Sequence, residues 1–474
     1  MVAMATKIST KISTKINSFG GQGFGRRALL AGAAGLAGAA VAGCAPPGGS
    51  PDRAPAAKRK TGPVTLVNVE HDTRPLDNAA YAKVYKSFHQ KHPDITINFM
   101  TIPWEQARTK MLTLGQGNGL PNMGRMAYPD DFVAAGMVLS LDDRVSKSDL
   151  ARFDEAAIAS YQAKGEDGKR HLYGLPWFAG SHAIMINKTL VDRAKIDLPD
   201  DWTTDQFAQI AAQLTTKGKQ WGVTLDGNGI GDPVQILLMT IYAFGGKWVN
   251  GDPAGQTPEP IVINSPETAA GISWYVDLYK KGSAVPSAPS DTYQQRDANF
   301  LSGKAAMAWQ GPWNITATKD AFAKNGYELV SMPLPNGPKG RVAIYGGGGA
   351  GIYTSSERDG VVDQAWEWIS YLSSDEGEKL YCKTNGMIPA SKTAREDPTW
   401  SKDPLYTGYL TSMESAPRMY PLWATGLESS LDTIVPPLLQ AAFGGKITSE
   451  QMAEQLQKQV LKAVKGNGVE VPQS

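Results

Sequence analysis

The chain has 474 residues, 42% hydrophobic and 20% charged, with 47 Lys and Arg against 46 Asp and Glu and a formal net charge of +1. No basic surplus exists to form the electrostatic footprint of a nucleic-acid binder, and two cysteines cannot supply a disulfide framework. Stability must come from buried core, and the length exceeds what one core usually supports, so two lobes are expected.

At the N-terminus, Arg26-Arg27 precede a small-residue apolar stretch, Ala28 to Ala42, that ends at Val41-Ala42-Gly43-Cys44. A permanent membrane span needs roughly 20 apolar residues, so this shorter stretch is read as a targeting segment outside the fold. The arginine pair resembles a twin-arginine export signal. Val41 to Cys44 resembles a bacterial lipoprotein cleavage box, which makes Cys44 the expected lipidated residue and places the protein outside the cytoplasm, anchored to the bacterial cell membrane. With Cys44 acylated, Cys382 is the remaining thiol and is expected to be buried and inert. Ala45 to Gly62, rich in Pro, Gly and Ser, reads as a flexible tether.

Val64 to Val69 is a continuous strand-like run. A helix follows with Tyr81, Val84, Tyr85 and Phe88 on one face, then the breaker His92-Pro93-Asp94, then alternation at Ile95, Ile97 and Phe99. Strand, helix, strand in so short a span is a βαβ unit and predicts an α/β first lobe with a parallel pair. Thr203 with Gln206, and Thr448 with Gln451, predict capping boxes ahead of amphipathic helices. A further helix is predicted near Asp363 to Tyr381 from Ala365, Ile369 and Leu372.

The usual marks of catalysis are missing: no nucleophile elbow, no paired-histidine zinc helix and no Walker A loop. Of the five histidines (His71, His89, His92, His171 and His182), His89 and His92 flank a helix end and are expected to be solvated. No metal and no cofactor is expected. Gly346 to Gly351 formally contains a dinucleotide-type glycine pattern, yet Ile352-Tyr353-Thr354 continues it as a strand and not as a phosphate-binding helix. The run is read as allowing close backbone approach to a ligand, or as a hinge. Glu70, Asp130, Asp226 and Asp232 are candidate cleft carboxylates, so a secreted carbohydrate-active hydrolase stays open at this point.

Four groups of residues, in this order along the chain, carry a family resemblance: Gly119-Leu120-Pro121-Asn122; Tyr173-Gly174-Leu175-Pro176 with Asn187-Lys188-Thr189-Leu190; Phe300 through Gly303-Lys304-Ala305-Ala306-Met307 to Gly311-Pro312-Trp313; and Gly386-Met387-Ile388-Pro389. Together they resemble the family 1 extracellular solute-binding proteins of ABC importers, the group that includes maltodextrin-binding protein. Asn122 departs from the Asp common there, which touches a turn more than the ligand site. The resemblance implies a two-lobed, periplasmic-binding-protein-like α/β fold with a hinge and an interlobe cleft. Residues 63–176 with 347–388 would form the first lobe and 177–346 with 389–474 the second, with crossings near Pro176, near Gly346 to Gly351 and near Pro389. It also implies a carbohydrate ligand and permease subunits as partners, with a peptide or polyamine as the alternative solute.

A sugar has an apolar ring face and a polar rim, and its pocket needs flat aromatic surfaces beside carboxylate, amide and Arg groups. Twelve tryptophans are available. Those in Gly- or Pro-flanked contexts, Trp177, Trp248, Trp309, Trp313 and Trp423, are candidates for the site, while Trp202, Trp274, Trp366 and Trp368 are expected to pack in the core. Trp313 and Trp423 are the expected stacking residues by matched position in the family. Glu70 and His71 after the first strand, and Tyr128 and Asp130 after a later one, occupy strand ends where open α/β sheets bind ligands. Asp232 and Arg418 complete the candidate set.

Overall fold

The computed structural model describes residues 58–472 apart from 72–73, 128, 252–256, 417–419, 422–423 and 425. Cys44, Tyr128, Arg418 and Trp423 therefore lie outside the described residues.

Strand β1 (Val64–Glu70), helix α1 (Pro75–Lys91) and strand β2 (Ile95–Thr101) form the expected unit, with β1 and β2 parallel from Val64↔Ile95 to Glu70↔Thr101. Pro75 opens α1, where its missing N–H costs nothing and its fixed φ suits the first turn. Tyr81, Val84 and Phe88 are buried beneath it. Helix α2 (Trp104–Gln116) leads to β3 (Met123–Arg125), which joins the other edge of β1 in parallel. Asn122, just before β3, pins this pairing: its Oδ1 accepts from Val67 N at 2.9 Å and its Nδ2 donates to Asp359 at 3.0 Å.

A small hairpin, β4 (Gln162–Lys164) and β5 (Arg170–Leu172), precedes β6 (Leu175–Gly180) and β7 (Ala183–Asn187). Helix α3 (Thr204–Gln213), β8 (Trp221–Thr224), helices α4 (Asp232–Ala243), α5 (Pro266–Lys280) and α6 (Tyr293–Leu301), and strands β9 (Ala305–Gln310) and β10 (Leu329–Met332) follow. The chain then enters β11 (Gly346–Ile352), helices α7 (Val362–Leu372) and α8 (Asp375–Asn385), the short β12 (Ile388–Pro389), and finally helices α9 (Leu427–Phe443) and α10 (Ser449–Gly466). Both predicted capping boxes start their helices, α3 from Thr203 and α10 from Thr448. The helix predicted over Asp363 to Tyr381 is instead two. Ser374 breaks it by turning its hydroxyl to accept from Gly377 N at 3.1 Å, capping α8.

Two sheets define two lobes. The first runs β12-β6-β11-β3-β1-β2 and the second β10-β7-β9-β8; one buried apolar cluster fills the first lobe and continues onto one face of the second sheet at Ala183, Met185 and Ala308, and another covers that sheet's opposite face at Ile184, Ile186 and Met307. The chain passes from the first sheet to the second at Ser181-His182, not at Pro176, because Leu175–Gly180 is wholly buried between β11 and β12. The return falls before Gly346, where β11 begins. Beyond Pro389 the chain stays with the first lobe as far as Trp400, whose Nε1 donates to the Met387 carbonyl at 2.8 Å; the helix Pro404–Met413 then packs on β10 and β7 of the second sheet, and α9 and α10 pack with α5 there.

The glycine run forms β11 itself. A Cβ at Gly348 would stand 2.2 Å from the Phe178 ring, and one at Gly349 2.2 Å from the Tyr161 ring. The glycines are thus space for aromatic side chains laid across the strand. Gly347 has φ 139°, and its Cβ would stand 2.3 Å from the Phe178 carbonyl oxygen. Gly347→Ala is expected to lower stability by about 2 kcal/mol, through backbone strain and overpacking together. Chemical denaturation would check this, and an unchanged midpoint would refute the packing account.

Candidate functional site

A cavity of about 310 Å³ lies between the sheets. The first lobe contributes His71, Arg74, Trp104, Glu105, Arg125, Asp130 and Tyr161; the second contributes Gly231, Asp232, Gln235, Tyr293, Trp313, Asn314, Tyr420 and Glu428. Tyr345 to Gly347 close it where the chain crosses.

The first-lobe wall is made of strand ends. His71 follows β1, and its ring Nδ1 sits 3.3 Å from the Ile102 carbonyl oxygen. Trp104 follows β2 and meets His71 edge-on at 6.4 Å. Arg125 ends β3, its guanidinium carbon 5.3 Å from the Trp104 ring and 5.2 Å from the Phe178 ring. A parallel sheet turns all these ends to the same edge, so one backbone arrangement delivers a His, a Trp and an Arg together.

The second-lobe wall is built on Arg296, which is fully buried. Its Nη2 donates to Asp232 at 2.8 Å and to Asp297 at 2.9 Å, and its Nη1 to Asp226 at 3.2 Å. Asp232 opens α4, where the positive end of the helix dipole favours a carboxylate. Burial opposes its charge, but the Arg296 guanidinium and then the His182 imidazole hold its carboxyl well below the usual range. Burial pushes Asp226 up to about 7 against the pull of Arg296, and burial likewise raises Asp297. Asp297 also accepts from Gln310 Nε2 at 3.0 Å and Asn314 Nδ2 at 2.6 Å, fixing the loop that carries Trp313. The Trp313 ring meets the His182 ring edge-on at 5.5 Å.

Of the residues singled out from the sequence, His71, Asp130, Asp232 and Trp313 line the cavity. Three tryptophans do not. Trp177 is fully buried in the first core, edge-on to Phe178 and Tyr381. Trp248 and Trp309 are buried in the second core, Trp309 packed 4.8 Å from Phe207. Glycine and strand neighbours put these rings against other side chains and not against solvent. Glu70 also turns inward, accepting from Asn68 Nδ2 at 2.7 Å and from the Tyr81 hydroxyl. Trp104, Glu105, Arg125, Tyr161, Tyr293, Tyr345, Tyr420 and Glu428 were not anticipated. The strand-end rule that selects His71 also selects Trp104 and Arg125, which stand at the ends of β2 and β3; the others come from distant segments with no local signal.

The raised carboxyl of Asp226 has a consequence for stability. A group that binds its proton more tightly when folded contributes stability below its ordinary value of 3.8, and that contribution is lost as pH rises through about 7. Asp226→Asn is therefore expected to flatten the dependence of melting temperature on pH across that window, measured by calorimetry. A variant whose profile stays parallel to the parent's would remove Asp226 as its source.

The maltotriose-binding protein of Pyrococcus abyssi is 24% identical over 413 residues, covering 84% of this chain and 83% of its own. The maltooligosaccharide ABC transporter solute-binding lipoprotein of Streptococcus pneumoniae is 26% identical over 347 residues, covering 71% of this chain and 75% of its own. The GacH receptor of Streptomyces glaucescens, solved unliganded and with acarbose, shares the fold at a TM-score of 0.72 and 21% identity, over 85% of this chain and 98% of its own. The family model described as bacterial extracellular solute-binding protein matches residues 72–379. With that match spanning more than half its length, and two α/β lobes facing each other across a lined cleft, the chain belongs to the bacterial extracellular solute-binding protein family.

Proposed function

We propose that the chain captures a carbohydrate, mono- or oligosaccharide, in its interlobe cleft outside the cell and delivers it to the permease subunits of an ABC importer. The observation that carries this reading is the lining, which combines the aromatic residues Trp104, Tyr161, Tyr293, Trp313, Tyr345 and Tyr420 with Glu105, Asp130, Asp232, Glu428, Arg74 and Arg125. Flat apolar faces suit pyranose rings, and the charged groups suit their hydroxyls. Relatives named for maltotriose and maltooligosaccharides support it.

The reading is of a binder and not a hydrolase. Glycoside hydrolysis wants a protonated carboxyl facing the scissile bond. The family match and relatives named as binding proteins support a binder, while of the two strongly shifted carboxyls only Asp232 lines the cavity, and Arg296 draws its carboxyl below the usual range. Cys44, at the end of its cleavage box, would carry the acyl anchor after export by the twin-arginine or the general route, as the Streptococcus pneumoniae relative's name, a lipoprotein, supports.

A thermal-shift screen against sugars, amino acids, peptides and polyamines, with product analysis on every hit, tests the assignment. A sugar is expected to raise the melting temperature without turnover. Hits confined to amines or peptides would discard the sugar, and released product would make the protein a hydrolase. Trp313→Ala is expected to weaken sugar binding by more than about 1 kcal/mol, the value of a stacked ring; equal affinity by calorimetry in the folded variant would take Trp313 out of the site. Cys44→Ser is expected to abolish incorporation of labelled fatty acid, and a variant that is still acylated would end the anchor assignment.

A further inference from the structure

We propose that Arg74 and Glu105 form a two-point clasp across the mouth of the cleft, and that Arg74 acts as a positioning residue for Trp313. The proposal rests on the solute-capture reading for its purpose, though not for its geometry.

Arg74 stands just before α1 on the first lobe. Its guanidinium is oriented by Asp77, accepting from Nε at 2.8 Å and from Nη2 at 2.7 Å. Asp77 is fully buried and is itself approached by Asn385 Nδ2 at 3.4 Å. So oriented, Nη1 of Arg74 donates to the main-chain carbonyl of Trp313, 239 positions away on the second lobe. Trp313 is thus gripped from both sides: Asn314 ties its loop to Asp297 within its own lobe, and Arg74 takes its carbonyl from the opposite one. The second point is Glu105 on α2, whose Oε1 accepts from the Tyr293 hydroxyl and from Gln294 Nε2 of α6, both at 2.8 Å.

Arg74, Glu105, Tyr293 and Trp313 all line the cavity. Hydrogen bonds are lost within a few tenths of an ångström beyond their normal range, so any rotation that separates the sheets breaks both points of the clasp. The bonds therefore belong to the closed arrangement alone, and an interaction made in one of two states shifts the population toward it. A ligand stacked on the Trp313 ring and Arg74 on the Trp313 carbonyl bias the same residue, so each strengthens the other by the same factor. A lysine at position 74 cannot hold Asp77 in two-pronged fashion while donating to Trp313, since it lacks the planar fork.

The test measures lobe separation directly. Spin labels at exposed Lys83→Cys and Lys217→Cys, in the full chain with Cys44→Ser and the native Cys382 buried, report the interlobe distance with no ligand present. The Arg74→Met/Glu105→Ala double variant is expected to move the distribution to longer distances. With a bound sugar, dissociation should quicken about tenfold with little change in association, and Arg74→Lys should not restore it. Glu105→Ala alone, at an exposed side chain, should give a smaller shift in the same direction and covers the case in which the double variant does not fold. Unchanged distances in either folded variant would overturn the clasp. Shifted distances in a protein that answers no sugar would uphold the clasp and overturn the sugar assignment instead.

Discussion

One buried guanidinium sets the shape of half the cleft. Arg296 is enclosed with three carboxylates around it, and each ties it to a different part of the second lobe: Asp226 behind the site, Asp232 at the start of α4, and Asp297 beside the loop of Trp313. Charges taken out of water are expensive unless every partner is in place, and removing one partner from such a group typically costs about 3–5 kcal/mol. A network of this kind locks geometry more than it adds net stability. It also explains how neighbouring carboxylates come to differ: the one nearest the guanidinium and His182 stays ionised, while the one buried deepest takes up a proton near neutrality.

The first lobe reaches its half of the site by another route. The parallel edge β1, β2, β3 presents successive strand ends, and the residues just past those ends are the wall. The two halves are chemically unlike, one built on backbone topology and one on a buried ion network. Their meeting depends on chain passages between the sheets and on the side chains that reach across, Arg74 and Glu105 from one lobe to Trp313, Tyr293 and Gln294 of the other.

Aromatic residues serve both cores and cleft, and their neighbours do not say which. Glycine beside a bulky ring suggests open space for a ligand, yet Gly348 and Gly349 make room for Phe178 and Tyr161. Trp177, next to Phe178 on β6, lies on a wholly buried strand, and Trp309 on β9 is buried against Phe207 and Tyr275. What separates Trp313 from these is its place in a short 3-10 turn after β9, outside any strand, where the Gly311-Pro312 pair halts the sheet and leaves the ring half-buried at the cleft.

Local pattern was enough to establish the α/β class, the first βαβ unit, the starts of α3 and α10 and the burial of Cys382, because hydrophobic period, capping boxes and breakers act over a few residues. The ordered set of short motifs was enough to reveal the family, and the strand-end rule was enough to reach His71. Tertiary structure alone decided that the chain changes sheets after Gly180, that Trp177, Trp248 and Trp309 belong to cores, and that Arg296 gathers Asp226, Asp232 and Asp297. These outcomes depend on contacts between distant segments, such as Asp226 with Arg296, 70 positions apart, or Asp232 with Arg296, 64 positions apart. No window of sequence contains both members of such a pair, and only the folded chain brings them within bonding distance.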